Sequence, residues 1–410
     1  MDKVSCSFCG KTEDEVIVLV TGKSGYICEA CAEKVAIVAK KEIEYLQPKK
    51  TVEKIDFNSF KPSLLKSYLD DYIIGQENAK KSISVAVYNH YKRLTQLEQS
   101  NGESEDVEIE KSNILLVGPT GVGKTLLVRM IAKKIGIPCA IADATALTQA
   151  GYVGEDVESI LVRLLQTADY NMEAVKRGIV YIDEFDKIGR KADNPSITRD
   201  VGGEGVQQAL LKMLEGTEVT VPPQGGRKHP EQKMLTIDTR NILFICGGAF
   251  EGVQRIIESR LKRSSLGFLM GEEAKKKIES QDLLQYITSE DLRKYGLIPE
   301  LIGRLPVLVS LENLDGDKLK KILIEPKNAL LKQYQKLFAM ENINLIFEPE
   351  AINSIVDEAV ASKLGARSLR GIMERVLLDA MFDYPSKKAK ELVVSQKYVK
   401  ERLTQATSAA

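Results

Sequence analysis

At 410 residues the chain has room for two or three domains, each with a core of its own. Lys plus Arg and Asp plus Glu each total 58, so the net charge is zero and composition excludes a general electrostatic pull toward nucleic acid or anionic lipid. The apolar fraction of 43% beside 28% charged residues is that of a globular chain, and no segment approaches the roughly 20 uninterrupted apolar residues of a membrane span.

The opening residues Met1 to Cys6 lack the apolar stretch of a secretory signal, which predicts a cytoplasmic protein. Residues 1–47 form a first unit. Cys6-x-x-Cys9 is followed by the apolar run Val16 to Val20, a Gly22 to Gly25 turn, and Cys28-x-x-Cys31 opening a helix to Leu46. Two chelating pairs separated by 18 residues can close a tetrahedral four-cysteine zinc site, and four thiolates leave no open position for catalysis. A unit this small buries little apolar surface, so Zn2+ is expected to supply most of its folding free energy. The other two cysteines, Cys139 and Cys246, stand far away, which favours one metal site in a reducing compartment over disulfides.

Residues 48–62, polar and opening on Pro48-Lys49-Lys50, read as a linker. From residue 63 to 311, helical patterns alternate with short apolar runs at Asn113 to Val117, Cys139 to Ala142, Gly178 to Ile182 and Asn241 to Ile245. Bounded runs of this kind read as buried parallel strands, which makes the domain α/β, a P-loop sheet flanked by helices. Between helix and first strand, Gln96 to Ser112 is polar and acidic and is expected to be an exposed, mobile insertion. Residues 312–410 lose the strand signal and show helical spacing over Leu319 to Phe338 and Ala351 to Leu364, a smaller, mainly helical domain.

Gly118-Pro119-Thr120-Gly121-Val122-Gly123-Lys124-Thr125 matches G-x-x-x-x-G-K-[ST] and stands between an apolar strand and a helical pattern. There the backbone N–H groups can turn around phosphate, Lys124 reaches the β and γ oxygens, and the Thr125 hydroxyl ligates Mg2+. About 60 residues on, Ile179 to Ile182 delivers Asp183 and Glu184 to the end of a strand, Asp183 for Mg2+ and Glu184 to polarise the attacking water. Positive charge around a γ-phosphate often comes from an arginine, and Arg304 and Arg367 are the candidates, although either could be a surface ion-pair former. Gly151-Tyr152-Val153-Gly154 is a loop with a bulky tip or a turn with a half-buried tyrosine, and the loops Gly202 to Gly205 and Gly225 to His229 add flexible segments, the second basic. The two histidines, His90 and His229, lie far apart, and neither HExxH nor Gly-x-Ser-x-Gly occurs, so any proteolysis falls to another chain.

Taken together and in this order, the motifs resemble the ClpX family of AAA+ ATPases over essentially the whole chain. The resemblance implies an ATP-dependent protein unfoldase, a homohexameric ring with ATP held between subunits, and as partners the ClpP peptidase, tagged or unfolded substrates and adaptor proteins, without nucleic acid or membrane. It implies that Gly118 to Thr125 and Leu126 contact ATP, with Ile73 and Ile74 against the adenine. Arg304 would complete the neighbour's site and Arg367 would act as a sensor. Tyr152 and Val153 would line the axial pore with Arg199 and Val201, and Arg227, Lys228 and His229 would attract the carboxylate of a tagged substrate. Leu266-Gly267-Phe268 stands where the family typically carries Ile-Gly-Phe in its ClpP-docking loop, a swap that conserves volume and apolarity.

Overall fold

A computed structural model describes residues 4–46, 60–99, 107, 109–148, 155–189, 203–222, 234–265, 282–386 and 390–407. At the N-terminus, Leu19–Thr21 pairs antiparallel with Tyr26–Cys28, a turn closed by the Gly22 N–H to the Gly25 carbonyl at 2.7 Å, and the helix Glu29–Leu46 follows. The apolar run from Val16 is a strand only from Leu19 onward, and Ile17 is 90% exposed. Among the described residues no second layer covers the run.

Among the described residues the central sheet has five parallel strands: β1 (Ile114–Val117), β2 (Cys139–Asp143), β3 (Ile179–Asp183), β4 (Leu243–Gly248) and β5 (Val307–Ser310), in the order β5-β1-β4-β3-β2. Alternate residues point to opposite faces, and both faces are covered. Leu115, Val117, Val180, Ile182 and Phe244 pack on one side, while Ile114, Leu116, Ile179, Tyr181, Leu243 and Ile245 pack on the other. That is why these strands read as continuous apolar runs rather than alternating ones. The four expected runs are all strands; β5 was not expected.

Two stretches differ from their sequence reading. Phe60, inside the expected linker, is fully buried with its ring edge-on to Tyr88 and Tyr91, and Pro62 opens the helix Pro62–Asp70. The expected insertion is shorter than its polarity suggested, since the helix Glu77–Gln99 runs into it from one side and Lys111 is half-buried on the other. The Lys111 ammonium donates to the Thr239 carbonyl at 3.0 Å and lies 4.6 Å from the Phe244 ring centre, and burial holds its pKa down at about 7. A lysine's long apolar stem permits this where its composition alone predicts a solvated face.

The C-terminal region is a helical layer of Gly316–Ile324, Leu330–Met340, Pro349–Ala361, Arg367–Asp383 and Gln396–Thr407 around its own core. The span Leu319 to Phe338 is two helices rather than one, with Pro326 between them, where no helical N–H is available to continue. Mainly helical is right, but a parallel pair, Asn344–Phe347 beside Glu391–Val394, completes the layer.

Candidate active site and metal centre

Cys6, Cys9, Cys28 and Cys31 converge, their sulfurs all within 4.8 Å of one another, with Cys9 and Cys28 at 3.7 Å. A tetrahedral zinc with Zn–S near 2.3 Å separates its sulfurs by about 3.8 Å, so the cluster fits that ion. Burial raises the Cys6 thiol, but backbone donors at Phe8, Cys28 and Cys9 outweigh it and hold the group at about 6. Hydrogen bonding to Cys28, with burial and the other two sulfurs, pushes Cys31 up to about 12. Four thiols this close cannot all ionise without a cation among them.

The second site lies at the C-terminal edge of the sheet, where open α/β sheets bind ligands. The P-loop leaves β1 and the acidic pair leaves β3, with β4 between them. Gly121 and Gly123 take φ of +82° and +102°, which lets the loop curl before the helix Lys124–Ile135 begins. Lys124 is buried, its ammonium donating to the carbonyls of Gly118 at 2.6 Å and Pro119 at 2.9 Å, and burial lowers its pKa. The Thr125 hydroxyl donates to Asp183 Oδ2 at 2.8 Å, while Asp183 Oδ1 accepts from the Tyr181 hydroxyl at 3.1 Å and from the Glu184 N–H at 3.0 Å. A hydroxyl and a carboxylate in mutual contact at this edge are the donor set that Mg2+ takes beside a phosphate. Glu184 has φ of +55°, a strained setting for a side-chain-bearing residue. Burial, with Asp186 and Asp183 nearby, raises its pKa, the direction in which a carboxylate becomes a better proton acceptor.

These groups line a cavity of about 480 Å³ in which Lys124, Thr125, Leu126, Asp183 and Glu184 meet Arg367. Thr120, Gly121 and Gly123 also line it, whereas Val122 is buried in the core. Arg367 is brought in by backbone contact: Ala366 N–H donates to the Gly121 carbonyl at 3.3 Å, and a Cβ on Gly121 would meet the Leu364 carbonyl at 2.4 Å. Ala249, just past β4, lines the cavity too and escaped sequence reading, although the small-residue run Gly247-Gly248-Ala249 after an apolar strand is a sign of close approach.

Ile73 and Ile74 do not line this cavity. Ile73 is buried in the core and Ile74 half-buried, on a segment held between the two domains. The Gln76 amide exchanges two 2.8 Å hydrogen bonds with the Glu312 backbone, and Lys327 pairs with Asp71 at 2.7 Å. Arg304 stands elsewhere. It pairs with Glu215 at 3.1 Å and its carbonyl accepts from Asn113 Nδ2 at 2.9 Å, beside the start of β1. The P-loop leaves the other end of that strand, about 13 Å away at 3.3 Å per residue, so Arg304 is turned from its own subunit's cavity. Tyr152, Val153, Arg199, Val201, Arg227, Lys228, His229, Leu266, Gly267 and Phe268 lie outside the described residues.

A parallel sheet with the P-loop strand and acidic strand parted by a third, capped by a helical domain that supplies an arginine, defines an ATPase of the AAA class, acting on ATP with Mg2+. Residues 109–308 match the AAA domain (Cdc48 subfamily), 314–398 the C-terminal D2-small domain of ClpB protein, and 4–40 the ClpX C4-type zinc finger, which binds Zn2+. Curated relatives carrying the name ATP-dependent Clp protease ATP-binding subunit ClpX include those of Bacteroides thetaiotaomicron, 53% identical over 99% of this chain and 97% of its own, and Porphyromonas gingivalis, 53% identical over 98% and 97%. The Bacteroides fragilis protein is 53% identical over 100% and 97%. The chain belongs to the ClpX family. Among the described residues no helix is long and apolar enough to cross a membrane.

Proposed function

We propose that the chain is an ATP-driven protein unfoldase that assembles as a homohexameric ring, draws in tagged or unfolded proteins, some handed over by adaptors, and feeds them to the ClpP peptidase. The observation that carries this reading is the split of charged groups between the two edges of one sheet. Lys124, Thr125, Asp183, Glu184 and Arg367 share a cavity, while Arg304 stands at the opposite edge, away from that cavity, which supports a role toward an adjacent subunit.

In each subunit the P-loop from Gly118 to Leu126 cradles the phosphates, and Thr125 and Asp183 hold Mg2+, which neutralises charge on the phosphate oxygens. Glu184 orients and polarises the attacking water and Arg367 adds positive charge from the small domain, while adenine contact by Ile73 and Ile74, which lie off this cavity, rests on family resemblance. Arg304 of one subunit completes the site of the next. The P-loop touches the Gly365 to Arg367 segment directly, through the Ala366 N–H to the Gly121 carbonyl, so a change at the nucleotide-facing cavity that both line would be passed to the small domain. Cys6, Cys9, Cys28 and Cys31 hold a structural zinc in a domain spanning 1–47, joined by a linker to a large domain ending near 311 and a small one over 312–410. The pore roles of Tyr152, Val153, Arg199 and Val201, the entrance role of Arg227 to His229, and ClpP docking by Leu266 to Phe268 rest on family resemblance, as does a cytoplasmic location.

The test is ATP-dependent loss of fluorescence from a tagged fluorescent protein, with and without ClpP. The expected outcome is loss of signal with ATP alone and release of peptides only when ClpP is added. Steady fluorescence during measurable ATP hydrolysis rejects the reading.

A further inference from the structure

The helix Glu204–Glu215 is buried along Val206, Leu210, Met213 and Leu214, which is enough to dock it. Within that apolar stripe Gln207 is only 3% exposed. A buried amide is costly unless its bonds are made, and Gln207 makes three. Its Nε2 donates to the carbonyls of Ile188 at 2.9 Å and Gly296 at 3.2 Å, and its Oε1 accepts from the Ile298 N–H at 2.8 Å.

Those partners belong to two segments far apart in the chain. Ile188 lies in the turn Phe185–Gly189, which directly follows Glu184, and Gly296 and Ile298 lead into the short helix Pro299–Gly303, whose next residue is Arg304. The two segments meet tightly. A Cβ on Gly296 would sit 2.0 Å from the Gly189 carbonyl oxygen, and the Tyr295 hydroxyl reaches Asp186 Oδ2 at 3.4 Å. At the far end of the Gln207 helix, Asn113 Nδ2 donates to the carbonyls of both Leu214, at 3.4 Å, and Arg304, at 2.9 Å, and Glu215 pairs with the Arg304 guanidinium. One helix therefore holds the Arg304 mount from both sides and touches the turn behind Glu184.

We propose that Gln207 is a positioning residue for hydrolysis in the adjacent subunit. It locks the turn behind one subunit's Glu184 to the helix that ends on Arg304, so that the arginine is presented to the neighbour at a fixed place relative to its own subunit's site. This rests on the reading that Arg304 acts across the subunit boundary.

The experiment is complementation in mixed rings of the full-length chain, reading ATP hydrolysis beside binding of a fluorescent ATP analogue. Gln207→Met keeps length and removes all three bonds, while Gln207→Glu keeps the acceptor toward Ile298 and turns negative charge on the Ile188 and Gly296 carbonyls. Alone, each is expected to lower turnover about tenfold or more, within the roughly 100-fold that a misplacement near 1 Å costs, with analogue affinity held within about twofold. Mixed with Glu184→Gln, whose Arg304 mount is intact, Gln207→Met should regain turnover per sound site, because a well-placed Arg304 then meets a sound Glu184. Recovery for Arg304→Ala mixed with Glu184→Gln, but none for Gln207→Met in the same mixture, overturns the proposal and leaves the cross-subunit role of Arg304 standing. No recovery in either mixture overturns that role itself. Unchanged turnover in both Gln207 variants, or loss of analogue binding in both, also overturns the proposal, since Gln207 would then be idle or merely structural.

Discussion

In residues 4–38 the only buried side chains are Cys6 and Cys28, while Ile17, Val18, Ile37 and Val38 face solvent. In the central sheet, by contrast, every residue of β1 is fully buried, and β4 carries Cys246 among Leu243, Phe244 and Ile245 with no exposure at all. Cysteine changes its role between the two regions. The first four sulfurs gather within 4.8 Å, whereas Cys139 and Cys246 sit on separate strands, and burial pushes both thiols up, Cys139 to about 11. Thiols held so high stay protonated and serve as packing atoms. The contrast teaches where each region finds its folding free energy: one from coordination to a metal, the other from apolar area removed from water.

The strongest way to break that comparison is to remove zinc. Chelation or Cys28→Ser should unfold the N-terminal unit outright, since structural zinc in small domains contributes apparent binding free energies of about 10–16 kcal/mol, while the ATPase core keeps its own unfolding transition. Hydrogen exchange resolved by segment reads this directly, and protection that persists over 4–40 without metal would refute it.

The converse test leaves the metal alone. Phe244→Ala empties a fully buried site under the Lys111 ammonium and should cost about 3–5 kcal/mol, seen as a lower thermal midpoint with zinc content unchanged. A shift below about 1 kcal/mol would mean the sheet depends less on packing than its burial implies.

Glu184→Gln sharpens the comparison by separating chemistry from stability. Turnover should fall by about 100-fold or more, roughly 2.7 kcal/mol or more in barrier height, with nucleotide affinity and thermal midpoint near those of the parent. Steady-state hydrolysis beside calorimetry checks both halves. Near-normal turnover would remove Glu184 from its role.

The smallest effect is expected from Ile17→Ala, which trims an apolar side chain that is 90% exposed and should change stability by no more than about 0.5 kcal/mol. A larger loss in the isolated chain would show that Ile17 packs against something, and that the N-terminal unit does not stand on its metal alone.

Legibility tracked the range of each interaction. The cysteine pairs, the glycine-rich loop ahead of Lys124 and the acidic pair after Ile182 are written within a few residues, and four strands announced themselves because a doubly covered parallel sheet demands unbroken apolar runs. β5 is less legible because it is the sheet's edge strand, where Val307, Leu308 and Ser310 are only half-buried, and because Pro306 breaks the apolar run ahead of it and Ser310 ends it. The polar insertion is shorter than its composition predicts for a related reason. Lys111 counts as a charged residue in the chain, but its stem and ammonium are absorbed by Phe244 and the Thr239 carbonyl.

What the amino-acid sequence determined alone is therefore the chemistry: a chelating cluster, a phosphate loop and a pair of carboxylates, each encoded by spacing that short-range geometry enforces. The tertiary structure alone decided how those parts face one another. It set Thr125 against Asp183 across 58 residues, put the Gly121 carbonyl under the Ala366 N–H, turned Arg304 to the sheet edge away from its own cavity, and gave Gln207 its three partners. These contacts follow from strand order and register, which join residues distant along the chain and leave no local period by which a sequence could announce them.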